Sequence, residues 1–209
     1  MGLNKISIML MLILTTATLS YSQSVEEIFK NGKKAFYADN FEEASKNFSV
    51  ILGLESDSYE NCLYKGLTYE INFDNDKAIS ELTKAIEIDP SRSDAYFFRG
   101  MIYDKLEQYP QALEDYSNAI QYDQSNSDLY FNRASIYQEL KKNQESINDY
   151  SKALELNPND DIALYNRGIM YQELKDNEKA IADFEAAILI DNAWERVLRP
   201  VIVQLQNGQ

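Results

Sequence analysis

The chain has no histidine, one cysteine, four prolines, seven glycines and one tryptophan in 209 residues. Without histidine it lacks the commonest general base, the usual activator of a nucleophile and the commonest metal ligand, which excludes serine triads of the ordinary kind. A lone Cys62 cannot close an internal disulfide, so the fold must rest on packing even in an oxidising compartment. Positive charge is also scarce: 20 Lys and Arg stand against 34 Asp and Glu, a net charge of −14. Binding a polyanion requires a basic footprint that releases counterions, and neither the totals nor any local run supplies one, so a nucleic-acid partner is disfavoured.

Long apolar runs are missing beyond the N-terminus, where Lys5 precedes the uncharged stretch Ile6 to Leu14 and small or polar residues follow to Gln23. That stretch falls well short of the roughly 20 residues that span a bilayer. The segment therefore reads as a secretory signal peptide, residues 1–22, cut after Ser22, which predicts an exported, periplasmic or secreted protein. An uncleaved N-terminal membrane anchor is the alternative. Removing Lys5 with the leader leaves 19 of the 20 basic residues against all 34 acidic ones, a net charge of −15 that keeps an exported chain soluble.

No glycine loop for phosphate is present. Asp74-Asn75-Asp76 and Asn157-Pro158-Asn159-Asp160-Asp161 resemble calcium loops only in being acidic, since both lack the glycine and the closing glutamate at the required spacing. Carboxylate pairs abound, but in so acidic a chain they read as solvated helix faces. Catalytic, cofactor-binding and metal-ligating residues are accordingly expected to be none, and no cofactor is implied.

What the chain does have is a period. A small residue recurs every 34 residues at Gly32, Gly66, Gly100, Ala134 and Gly168. With that residue as position 8, position 11 reads Ala35, Tyr69, Tyr103, Tyr137, Tyr171; position 20 reads Ala44, Ala78, Ala112, Ser146, Ala180; position 24 reads Phe48, Leu82, Tyr116, Tyr150, Phe184. Positions 4, 8 and 11 follow helical spacing, as do 20, 24, 27 and 28, with a polar break between the two sets. Each copy is thus expected to be a helical hairpin whose small residues at 8 and 20 admit close approach, while the large residue at 24 fills space left by the neighbouring copy. A hairpin of this size cannot bury its own apolar face, so stacking must make the core.

These columns, with Pro90 and Pro158 at position 32, resemble the tetratricopeptide repeat, a 34-residue pattern with Gly at 8, Tyr at 11, Ala at 20, Phe at 24 and Pro at 32. The resemblance implies an all-α, right-handed superhelical solenoid of antiparallel helix hairpins, with repeats at 25–58, 59–92, 93–126, 127–160 and 161–194. The first copy departs most, with Ala35 at position 11 and Ser56 at 32. Residues 195–209 are expected to form a capping helix and tail, because Leu198, Val201, Ile202 and Leu205 continue the register of a first helix; Pro200 should kink or split it.

The resemblance further implies that positions 2, 5, 9 and 12 of the first helices face a concave groove that holds a protein or peptide. Position 5 reads Phe29, Leu63, Phe97, Phe131, Tyr165; position 6 adds Tyr64 and Phe98, then Asn132 and Asn166; position 9 adds Leu67, Met101 and Ile169. Contiguous aromatic surface marks an interface, but the same rings could instead pack between adjacent repeats, and both readings stay open. Position 2 carries Glu26, Glu60, Asp94 and Asp128, either an acidic rim that selects a basic ligand or a set of first-turn acids favoured by the helix dipole. The family's two-carboxylate clamp is not matched, since Phe97, Met101 and Ile162 stand where its polar and basic residues belong. Arg99, Arg133 and Arg167 at position 7 are expected to cover apolar surface with their stems while pairing with local acids.

The function expected is a non-enzymatic scaffold that binds an extended segment or an amphipathic helix in the groove. The alternative is a structural or oligomerising component of a cell-envelope assembly, acting through its ends or convex face, with self-association through the C-terminal end.

Overall fold

The computed structural model describes residues 24–207, which are helix and turn with no strand among them. The leader expected over residues 1–22 lies outside the described residues. Eleven α-helices are found in that range: α1 (residues 24–37), α2 (Phe41–Leu52), α3 (Tyr59–Ile71), α4 (Asn75–Ile88), α5 (Ser93–Lys105), α6 (Tyr109–Tyr122), α7 (Ser127–Glu139), α8 (Asn143–Leu156), α9 (Asp161–Glu173), α10 (Asn177–Ile190) and α11 (Glu195–Gln206), with a short 3-10 helix at Asn192–Trp194 before the last. From the second copy onward, each copy places its first helix at positions 1–13 and its second at 17–30. The first copy's second helix stops earlier, at Leu52, where Gly53 ends it. Buried Asn61 then holds the following link by donating from Nδ2 to the Ser56 carbonyl at 2.8 Å.

The turn within each hairpin is the same five times. The residue at position 15 adopts the left-handed conformation, with φ of 57° at Asp39, 60° at Phe73, 57° at Glu107, 56° at Lys141 and 60° at Lys175. The next N–H reaches back to the position-11 carbonyl, as in Lys142 to Tyr137 at 2.8 Å and Asp176 to Tyr171 at 2.9 Å, closing the first helix in a Schellman turn. That same residue then caps the second helix. Asn40, Asp74 and Asp176 accept from the N–H three residues on, whereas Gln108 and Lys142 give no side-chain cap. None of the five left-handed residues is glycine, so each hairpin carries a conformational cost of about 1 kcal/mol.

The chain divides into two compact units, residues up to Phe98 and residues from Arg99, the division falling within α5. In the first unit, Phe48 lies over Gly32 and Leu82 over Gly66; in the second, Tyr116 lies over Gly100 and Phe184 over Gly168. The residue at position 24 therefore fills space inside its own hairpin, which corrects the expectation that it serves the neighbouring copy. A methyl group at Gly168 would sit 2.5 Å from Phe184 Cε1, too close for any carbon contact, because the fully buried ring cannot move aside. Cys62, at position 4 of the second copy, is buried.

The second unit ends in the expected cap. Leu198, Ile202 and Leu205 are buried, with Val201 beside them, as α11 packs on α10 and the short 3-10 helix. Pro200 does not split it: α11 runs as one helix from Glu195 to Gln206 with Pro200 inside. The proline is exposed, and buried side chains anchor the helix on both sides of the missing hydrogen bond.

Two stability changes follow. Lys141→Gly removes left-handed strain at an exposed site and is expected to raise unfolding stability by about 0.5–1 kcal/mol in urea titration, the strain relieved exceeding the flexibility that glycine adds to the unfolded chain. Gly168→Ala is expected to lower it by about 1–3 kcal/mol through overpacking against Phe184.

Candidate binding groove

The position-5 side chains pack both against their own second helices and against rings that follow in the chain. Phe29 is 9% exposed, with its ring 6.2 Å from Phe48 and 5.2 Å from Tyr64. Leu63 is buried. Phe131 meets Tyr150 edge-on at 5.5 Å, and Tyr165 lies 6.2 Å from Phe184. Tyr165 is also covered by Trp194, stacked at 4.6 Å and 19°, whose indole N–H donates to Asp161 Oδ2 at 2.6 Å. Phe97 is half-buried with Phe98 5.3 Å away. The column is packing first, and accessible apolar surface comes from its neighbours, notably half-buried Tyr64, Phe98 and Leu67, and Met101 at 44% exposure.

In the first unit Tyr64, Leu67 and Phe98 border an open cavity of about 350 Å³. Phe29, Leu63, Tyr64, Leu67 and Phe98 supply its apolar wall, and Glu26, Asp94, Lys30 and Lys33 its charged margin. The cavity exists because residues at positions 5, 6 and 9 alternate in depth: position 5 lies beneath, while 6 and 9 rise along the walls. Lys33 leans over the Phe29 ring, its Nζ 5.8 Å from the centroid.

The acidic column at position 2 is only partly open. Arg92 bridges Glu60 at 2.9 Å and Asp94 at 3.0 Å, and its guanidinium lies 3.8 Å over the Tyr59 ring. Tyr59 donates its phenol proton to the other Asp94 oxygen and accepts from the Ala95 N–H at 3.2 Å. Burial, then that hydrogen bond to Asp94, holds the Tyr59 phenol well above its ordinary range. Burial, reinforced by Glu26 and Asp94, pushes Tyr64 up to about 12. Glu26 and Asp128 are exposed.

In the second unit, Asn132 donates from Nδ2 to its own helix at the Asp128 carbonyl, 2.7 Å away, and Asn166 hydrogen-bonds Tyr150. The arginines at position 7 do more than cover apolar surface. Arg99, Arg133 and Arg167 each grip the aspartate 16 residues on with two donors: Nε and Nη2 reach Asp115 at 2.8 and 2.7 Å, Asp149 at 2.7 and 2.9 Å, and Asp183 at 2.8 and 2.7 Å. The Nη1 groups of Arg133 and Arg167 also donate to Ser117 and Ser151 at 3.1 and 3.0 Å, tying each copy to the second helix before it. Sequence reasoning had the arginines without their partners. The signal was there, in Asp115, Asp149 and Asp183 sharing position 23 of the three copies that carry Arg at 7; the first two copies pair Asn31 with Asn47 and Lys65 with Glu81 at those columns.

Among the described residues no group of three or more Cys, Asp or Glu is gathered to hold a metal ion, and no helix is long and apolar enough to cross a membrane. Stacked hairpins with a small hydrophobic layer define a helical-repeat interaction module. The chain belongs to the tetratricopeptide repeat family: profiles of that family match residues 59–92, 93–126, 127–160 and 150–182. Comparison with curated proteins gives no match. Among solved structures, one of MamA superposes with a TM-score of 0.68 at 21% identity, covering 79% of this chain and 96% of that one; a second MamA structure gives 0.66 at 20%, covering 83% and 95%. YrrB, described as a TPR protein with an unusual peptide-binding site, gives 0.62 at 20%, covering 82% and 92%. At such identities the likeness carries the fold.

The ion pair between the hairpin helices can be measured. Asp149→Ala is expected to cost about 1.5–3 kcal/mol by leaving the half-buried Arg133 without its carboxylate. A double-mutant cycle with Arg133→Ala should return a coupling above 1 kcal/mol, larger than the roughly 0.5 kcal/mol of a solvent-exposed pair.

Proposed function

We propose that the protein is an exported scaffold that performs no chemistry and holds a protein or peptide partner against the first helices of its repeats. The carrying observation is the 350 Å³ cavity, walled by aromatic and aliphatic side chains from three consecutive first helices and open at a charged margin. Partner recognition on such a surface uses large apolar anchors. The export reading rests on the apolar run between Lys5 and the small residues ending at Ser22. The tetratricopeptide family consists of protein-interaction modules, and YrrB, of like fold, carries a peptide-binding site by its description.

A second reading, assembly through the chain's ends, is favoured by the exposure of Leu189 at 86% and Val197 at 55%. One experiment separates the two. Crosslinked pull-downs from the native host are run with the unaltered chain, a Phe98→Glu, Met101→Glu double variant and a Leu189→Glu, Val197→Glu double variant, each matched in helix content and melting by circular dichroism. The groove reading expects partners to be lost from the first variant and kept by the second. The reverse pattern would establish assembly through the ends, and identical partner sets from all three would sink both.

A further inference from the structure

The charge around the first unit's cavity is divided by sign along the helix axis. Glu26, Glu60 and Asp94 all stand at position 2, in the first turns of α1, α3 and α5, with Arg92 offsetting only part of their charge. Lys30 and Lys33 stand one and two turns further along α1, on the same cavity. Seven residues separate Glu26 from Lys33, about 10 Å of helix at 1.5 Å per residue. The acids stand before the apolar residues at positions 5, 6 and 9, and the lysines stand beside those residues on α1, so the cavity presents an acidic edge at one end of its apolar wall and a basic edge along it.

An extended chain rises about 3.3 Å per residue and turns every second side chain to the same face. A residue set against the apolar wall thus has, two positions to either side, side chains facing the same surface about 13 Å apart, a span that matches the two edges once side-chain length is allowed for. Opposite charges there meet opposite charges; equal charges oppose one edge whichever way the segment lies. Resting on the peptide-binding reading above, we infer that this cavity takes an extended segment of a partner protein with one large apolar side chain placed between a basic residue and an acidic one. The basic residue lies toward Glu26 and Asp94, the acidic one toward Lys30 and Lys33.

The test uses the full chain and fluorescein-labelled nonapeptides with a central Phe, residues two before and two after it set as Arg/Asp, Asp/Arg, Arg/Arg, Asp/Asp or Ser/Ser, and Gly and Ser elsewhere. Anisotropy titration is expected to show both opposite-charge peptides binding about tenfold tighter than either like-charged peptide, as two partly exposed ion pairs allow. In a Lys30→Glu, Lys33→Glu chain, whose cavity is acidic at both edges, the preference should pass to Arg/Arg. Equal binding of all five peptides, abolished by Phe98→Glu, overturns the dipolar recognition and leaves the groove reading standing. A preference for Arg/Arg in the unaltered chain also overturns it, being general attraction to a chain of net charge −14. No binding above that of the Phe98→Glu chain removes the cavity as a peptide site altogether.

Discussion

Each hairpin rests on one contact, the close approach of its two helices where the backbone at position 8 lies under the side chain at position 24. A hairpin of two short helices buries too little to hold itself, and the ring at 24 reaches its depth only because nothing larger than a glycine or alanine stands opposite. With Phe184 over Gly168 or Tyr116 over Gly100, the distance between helices is set, and the position-5 side chain above is then drawn onto the same ring, as Phe131 is onto Tyr150. The candidate groove is the outer face of that layer. Its aromatic character thus has two causes, packing below and accessibility above, and the second falls to positions 6 and 9.

The copies are not equivalent. Three of them fasten first helix to second with a two-donor arginine–aspartate pair, and Arg133 and Arg167 extend the tie to the preceding copy through a serine. A guanidinium held by two charge-assisted bonds is fixed in direction as well as position. The first two copies have no such pair at those columns, and the first has a shortened second helix besides. The cavity proposed to bind draws most of its lining from these two less fastened copies and the rest, Asp94 and Phe98, from the third. Local opening is drawn from the least stable parts of a structure, and binding surfaces that adjust to a partner are commonly found there.

Much of this was legible beforehand. The register of 34, the hairpin, the capping residues Leu198, Ile202 and Leu205 and the buried thiol of Cys62 all follow from periodicity, because period and burial are both properties of a helix face. The left-handed residue at position 15 was not legible. Asp39, Phe73, Glu107, Lys141 and Lys175 share no chemistry, and the Schellman hydrogen bond is made by backbone atoms that every residue has. Nor was the depth of position 5, since an aromatic side chain serves core and groove equally well, nor the unbroken run of α11 through Pro200, where burial on both sides outweighs one lost bond.

The sequence by itself determined the repeat, its all-helical character, the acidic balance and the absence of histidine chemistry, because each of these is local or a sum over residues. Tertiary structure alone decided which side chains at positions 5, 6 and 9 reach solvent, that Trp194 covers Tyr165, and that Glu26 and Lys33 border one cavity with Phe98. Those facts depend on the distance and rotation between neighbouring helices, which pairs of buried residues fix jointly and no single column of the repeat contains.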